Sequence, residues 1–327
     1  MPRTTDLRTT SSDTLSGVRP DCIDAAELLS DEPVNNAMVD RIRDAAASNG
    51  YLAIKNLFSA NGADLELLAA MHEFFSLADD HEGKRAVSVA NRPIKHGWMP
   101  LYGEPAYQPG TRAHLESFDF GRPRRGTDDP LHSSIWPDLP GFHDASRNTW
   151  EVLSKAGFSL LDAISVALNK PASFLRQRCD SQDRSTMRLL HYPGQKLKPE
   201  PGDVGIAAHT DFECITLLYQ TAAGLELRDP QGRWHDATAS DRQVIVLFGD
   251  MLEAWSNGRF QATGHRVRMT AQKRMSFVLF FAVNDGVTVA PLDSCVDANN
   301  PPRYDALTQQ QHSEREIRRA EQYRDQS

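Results

Sequence analysis

Cysteine is scarce in this chain. Its four residues, Cys22, Cys179, Cys214 and Cys295, lie far apart and never form a Cys-x-x-Cys pair. That argues against a disulfide framework or a zinc knuckle, and it fits a reducing cytosol. No apolar run approaches the roughly 18–20 residues of a membrane span. The N-terminus has no apolar signal core. Long basic runs are also missing, and the net charge is −8. Neither nucleic acid nor an anionic membrane is therefore expected as the main partner. No internal repeat is visible. These absences leave a cytoplasmic protein, expected as a monomer, whose partner is a small molecule.

What remains is ordinary globular composition, 24% charged and 40% hydrophobic. A chain of 327 residues can bury a sizeable core. Residues 1–19 are polar with little to bury and read as a disordered tail. The rest is expected as one structural unit in two parts. Residues 20–135 hold helices and loops, and residues 136–327 hold a long helix, a strand-rich core over about 184–285 and a C-terminal helix. Helices are predicted over 33–48, 61–78 and 142–168, with Leu65, Leu68, Met71, Phe74 and Phe75 as the apolar stripe of the second. Residues 91–140 break up into Gly, Pro and aromatic residues and read either as a lid or as a surface meander. From Thr186 short strands dominate: 186–192, 204–209, 213–219, 224–228, 244–248 and 275–283. Turn signals such as Asp229-Pro230-Gln231-Gly232 separate them. The fold class is mainly β with α, and a double-sheet jelly roll, whose interior can hold a metal and a small ligand, is the natural choice.

The chemistry centres on the stretch from Gly205 to Tyr219. If it is extended chain, His209 and Asp211 share one face. Two imidazoles and one carboxylate with open positions suit Fe(II), and His265 supplies the third ligand. His114-Leu115-Glu116 and His312-Ser313-Glu314 show the same spacing. The first lacks a third ligand, and the second lies in a charged run that reads as a solvated helix face.

Three further constellations accompany the triad. Arg274 and Ser276 share a face of an otherwise apolar strand. A guanidinium there needs a carboxylate, from a ligand or from an internal salt bridge. Tyr192 ends a strand before a turn, where its hydroxyl either reaches a ligand or is satisfied internally. Arg188 shares its alternation and could meet an acidic substrate. Phe248 to Gly258 reads as strand, turn and strand delivering His265.

At these residues the chain resembles the isopenicillin N synthase-like family of Fe(II)/2-oxoglutarate-dependent dioxygenases. The matching pieces are His209-x-Asp211, Gly249-Asp250-Met251-Leu252, Trp255 to Phe260, Gly264-His265-Arg266-Val267 and Arg274-x-Ser276. Phe74-Phe75 and Glu116 to Gly121 match its N-terminal region. The resemblance implies a distorted jelly roll, the double-stranded β-helix, preceded by a helical region. It implies iron on His209, Asp211 and His265. It implies 2-oxoglutarate on iron, with its distal carboxylate on Arg274 and Ser276 and a hydrogen bond from Tyr192. O2 would then oxidise a small molecule by hydroxylation or desaturation, with succinate and CO2 as co-products. The carboxylate of Asp211 disfavours a halogenase. Family members that keep the Arg-x-Ser pair without 2-oxoglutarate leave a cosubstrate-independent oxidase as the alternative, and a non-catalytic binding jelly roll as a third reading. Trp98, Tyr102, Arg188, Phe212 and Phe281 are the expected substrate walls, suggesting a modest, partly apolar molecule.

Overall fold

The structure is a computed structural model and describes residues 21–91, 96–104, 107–123, 135–194, 200–237 and 242–324. The expected tail over 1–19 lies outside these residues. Eight α-helices are described: α1 (Ala25–Leu28), α2 (Asn36–Ser48), α3 (Ala63–Ser76), α4 (Glu82–Ala86), α5 (Phe142–Ala167), α6 (Ser173–Arg176), α7 (Asp250–Trp255) and α8 (Gln309–Arg324). The first seven strands are β1 (Cys22–Asp24), β2 (Tyr51–Lys55), β3 (Gly97–Met99), β4 (Arg112–Ala113), β5 (Glu116–Gly121), β6 (Thr186–Tyr192) and β7 (Asp203–Val204). Next come β8 (Ile206–His209), β9 (Ile215–Gln220), β10 (Leu225–Arg228), β11 (Trp234–Asp236) and β12 (Val244–Phe248). The last four are β13 (His265–Val267), β14 (Arg274–Phe281), β15 (Thr288–Val289) and β16 (Leu307–Thr308).

Two sheets make the jelly roll. The larger runs β1-β2-β12-β9-β14-β6-β5-β3, and the smaller runs β11-β10-β13-β8. Side chains alternate along each strand, so the larger sheet has two buried faces. Leu189, Leu217, Val246, Phe277, Leu279 and Phe281 face the helices and join one core with Ile42, Met71, Phe74, Leu153 and Ile164. Leu190, Tyr192, Leu218, Ile245, Leu247 and Val278 face the other way and meet Leu225, Leu227 and Val267 of the smaller sheet. That second, smaller cluster is the barrel interior.

Helix α5 covers the outer face because Trp150, Leu153, Leu160, Leu161 and Ile164 recur at helical spacing and are buried. Gly157 lets it approach closely. A Cβ there would stand 2.5 Å from the Phe281 ring.

Several expectations change. Helix α2 begins at Asn36, after the side chain of Asn35 caps it by accepting from the Met38 N–H. Leu65 is 55% exposed, and Leu67 takes its place in the buried stripe of α3. The broken 91–140 region contributes β3 and β5 to the larger sheet, so this part is neither lid nor meander. Asp203 and Val204 pair with β4 rather than opening the His209 strand. Strand β11 was not foreseen. The stretch after Phe248 is helix α7, not turn and strand.

Candidate active site and metal centre

His209 and His265 are paired Cα to Cα across β8 and β13, so their rings lie side by side, with centroids 4.2 Å apart. Asp211 joins them, but not by strand alternation. Strand β8 ends at His209, and Asp211 stands in the following loop. The start of α7 holds that loop. Asp250 N–H donates to the Asp211 carbonyl at 2.9 Å, and Met251 N–H donates to the Glu213 carbonyl at 3.1 Å. Gly249 is required by this approach, since a Cβ would stand 2.1 Å from the Glu213 carbonyl oxygen.

Each potential ligand is oriented by a second hydrogen bond. His209 Nδ1 donates to the Ala207 carbonyl at 2.8 Å, and His265 Nδ1 donates to the Thr263 carbonyl at 3.0 Å. A carbonyl can only accept, so in the neutral form of each ring Nε2 is the nitrogen that keeps the lone pair. Thr216 Oγ1 donates to Asp211 Oδ2 at 2.6 Å, leaving Oδ1 open. Asp211 Oδ1 lies 3.9 Å from His209 Nε2 and 3.6 Å from His265 Nε2. Burial, reinforced by His265, holds the His209 imidazole well below its ordinary pKa, in the neutral form a metal needs. One atom from each residue falls within 4.8 Å of the others, and among the described residues no second cluster does this. Two neutral imidazoles and a carboxylate with these outer partners fit Fe(II).

Arg274 and Ser276 face the barrel interior, opposite Tyr192 and Gln220. The Arg274 side chain is 1% exposed. It donates to Gln220 Oε1 at 2.9 Å, to Ser276 Oγ at 3.2 Å and to the Ala222 carbonyl at 3.3 Å. Its guanidinium also lies 4.6 Å from the centre of the Tyr192 ring. Among the described residues no carboxylate pairs with it. Burial accordingly draws its pKa below the arginine value, against the opposing effect of Tyr192. The internal salt bridge considered from sequence is thus not what holds this cation. A buried guanidinium among neutral acceptors fits an anionic ligand.

The expected substrate walls divide. Phe212 stays beside Asp211, edge-on to His312 at 5.8 Å. Arg188 is in the barrel, but two carboxylates already engage it. It grips Asp119 with Nε and Nη2, at 3.0 and 2.7 Å, and reaches Glu104 at 3.2 Å. It is not a spare cation for an acidic substrate. Phe281 is corrected: alternation turns it to the helix face, 5.0 Å from Phe158. Trp98 is corrected for the same reason. Its indole N–H donates to Glu116 Oε2 at 2.8 Å, in a buried network with Lys84 and His191 on the helix side. Tyr102 lies under the Arg112 guanidinium and beside His114, not at the triad.

The His-x-Glu rivals also resolve. Glu116 is committed to Lys84, Trp98 and His191, and His114 packs against the Tyr102 ring. His312 is buried rather than solvated.

The 2OG-Fe(II) oxygenase superfamily pattern matches residues 184–283. Proline hydroxylase buaE of Petromyces alliaceus is 30% identical over 302 residues, covering 86% of this chain and 93% of that protein. The chain belongs to the 2OG-Fe(II) oxygenase superfamily. The 2-oxoglutarate-Fe(II) type oxidoreductase hxnY of Emericella nidulans is 27% identical, covering 83% of this chain and 81% of that one. The crystal structure of a full-length Neurospora crassa protein in complex with alpha-KG and 5-formyluracil superposes with a TM-score of 0.75. It is 25% identical and covers 91% of this chain and 94% of that one. The fold is thus the double-stranded β-helix, and the chain is a 2-oxoglutarate-dependent dioxygenase using iron and O2. Among the described residues no helix is long and apolar enough to cross a membrane.

Two residues of this oxygenase's site escaped sequence reasoning. The Tyr107 ring stacks on His209, with centroids 4.2 Å apart and planes 12° from parallel. Burial raises its phenol pKa, against the opposing charge of nearby Arg188. It lies in a segment without periodicity, where aromatic residues recur and nothing singles one out. Glu213 is half-buried beside the Asp211 ligand, and desolvation with the Asp211 charge pushes its carboxyl up to about 8. Its position two residues after Asp211 was the available signal.

Proposed function

We propose that His209, Asp211 and His265 hold Fe(II), and that Arg274 with Ser276 and Tyr192 anchors the distal carboxylate of 2-oxoglutarate, for hydroxylation or desaturation of a small molecule. The observation that carries this is Arg274: a fully buried cation with only neutral partners among the described residues, on the strand face that looks toward the triad. Iron and 2-oxoglutarate supply the O2 chemistry, releasing succinate and CO2. The chain's own residues orient and shield. The Ala207 and Thr263 carbonyls keep both imidazoles aimed by Nε2, and Thr216 keeps Asp211 aimed by Oδ1. Tyr107 shields one face of His209, and Phe212 borders the carboxylate ligand.

The polar wall of the substrate space is the Arg188, Asp119, Glu104 and Tyr107 cluster. Its guanidinium is already engaged by both carboxylates. This supports a neutral or basic small molecule over an acidic one, since no cation is spare for an added carboxylate at Arg188. The four free cysteines support a reducing compartment, and a cytoplasmic monomer is part of the same proposal.

The test is succinate formation from 2-oxoglutarate with Fe(II) and O2, screened across neutral, basic and acidic small molecules. Stimulation by neutral or basic compounds is expected. Stimulation confined to acidic compounds contradicts the substrate reading, and absence of succinate under every condition contradicts the cosubstrate assignment.

A further inference from the structure

Helix α8 has no apolar stripe to hold it down. Its sequence, QQQHSEREIRRAEQYR, is almost wholly polar. Among its described residues Gln309, His312 and Ala320 are buried. Two polar side chains therefore anchor it, and they reach different places. Gln309 Oε1 accepts from the Val283 N–H at 2.6 Å, just beyond β14. His312 reaches the loop that carries Asp211.

The contacts of His312 define its role. His312 Nε2 lies 2.6 Å from Asp250 Oδ2, and Arg315 donates to His312 Nδ1 at 2.8 Å. Arginine can only donate, so Nδ1 accepts and Nε2 carries the proton that it donates to Asp250. Asp250 in turn supports the Asp211 carbonyl through its backbone N–H at 2.9 Å. The same imidazole meets the Phe212 ring edge-on. His312 thus touches the loop twice: through Asp250 beneath Asp211, and through the side chain that follows Asp211.

We propose that His312 is a positioning residue for the iron site, fixing the Asp211-Phe212 loop from the C-terminal helix. This rests on the iron assignment given above. Groups that orient a metal ligand from outside commonly change affinity by about 10–100-fold when removed.

The experiment is anaerobic calorimetry with Fe(II) alone on the full chain, with thermal melting of each variant as the structural control. His312→Ala is expected to weaken Fe(II) binding by about tenfold. His312→Gln, whose amide can still donate to Asp250, is expected to recover most of it. Gln309→Ala loosens the same helix elsewhere and is expected to lower the melting temperature with Fe(II) affinity unchanged. Wild-type affinity in His312→Ala overturns the proposal. So does an equal loss in Gln309→Ala, since the effect would then belong to helix docking in general. If His312→Ala does not fold, Arg315→Ala carries the test: weaker Fe(II) binding supports the proposal, and unchanged binding overturns it. The iron and 2-oxoglutarate reading fails separately, through absence of Fe(II) binding or cosubstrate binding in the wild-type protein.

Discussion

Strand β14 shows two faces of one sheet put to opposite uses. Toward the helices it presents Phe277, Leu279 and Phe281, all fully buried in an apolar core that includes Ile164 and Leu153. Toward the barrel it presents Arg274 and Ser276, equally buried, with a cation that no described carboxylate neutralises. The first face is complete as folded. The second keeps a buried cation among neutral acceptors, where the proposed 2-oxoglutarate carboxylate would bind. Burial alone therefore does not separate core from site, and the satisfaction of what is buried does.

This contrast can be broken by substitution, and the two faces should fail differently. The largest effect is expected from Asp211→Ala. It removes the carboxylate from the triad and should abolish iron-dependent succinate formation, with the melting temperature of the metal-free protein close to wild type. Phe281→Ala should do the reverse. Truncating a buried phenylalanine costs about 3–5 kcal/mol, read by denaturant unfolding, and the folded fraction should still bind Fe(II) and 2-oxoglutarate. Loss of both ligands in a folded Phe281→Ala protein would erase the distinction between the faces.

Arg274→Met sharpens the comparison further, because its two effects have opposite signs. Removing charge-assisted hydrogen bonds should raise the 2-oxoglutarate requirement, at about 1.5–3 kcal/mol for each bond lost. Replacing an unpaired buried cation by an apolar chain should leave the ligand-free protein as stable or more so. Melting with and without 2-oxoglutarate reads both at once, since a ligand that binds only the folded state raises its stability. A destabilised variant with normal 2-oxoglutarate dependence would mean that Arg274 is structural.

The smallest effect concerns the polar network on the helix side. Burial pushes the Glu116 carboxyl up, but hydrogen bonds from His191, Lys84 and Trp98 outweigh it and hold the pKa below the ordinary 4.5. A carboxylate depressed in the folded state contributes stability that is present above its unfolded pKa and lost as pH falls through the folded one. Unfolding free energy should therefore decline below about pH 4.5, and less steeply in Glu116→Gln. Identical pH dependence in the two proteins would remove Glu116 from the account.

The sequence made the triad legible because His209 and Asp211 are neighbours and because Arg274 interrupts an apolar strand. Strand alternation alone does not bring His209 and Asp211 together. Alternation stops at His209, and the N-terminus of α7 brings Asp211 into place. That helix has six residues, too few for a period to show. Tyr107 was not singled out, since its stacking on His209 depends on how distant segments fold together. Phe281 is hard to place because an apolar strand buried on both faces does not say which face looks inward, and Trp98 because its Gly- and Pro-broken segment does not read as a strand at all. Anchors of α8 stayed hidden because they are polar, and a polar anchor has the composition of a solvated face.

The most direct measurement is anaerobic titration of the metal-free protein with Fe(II) and 2-oxoglutarate, followed by the visible charge-transfer band of the chelate. The band should appear only when both are present, vanish in Asp211→Ala, and require far more 2-oxoglutarate in Arg274→Met. A band of full strength in Asp211→Ala, or one whose 2-oxoglutarate dependence is the same in Arg274→Met as in the wild type, would contradict the assignment of the inner face as the site.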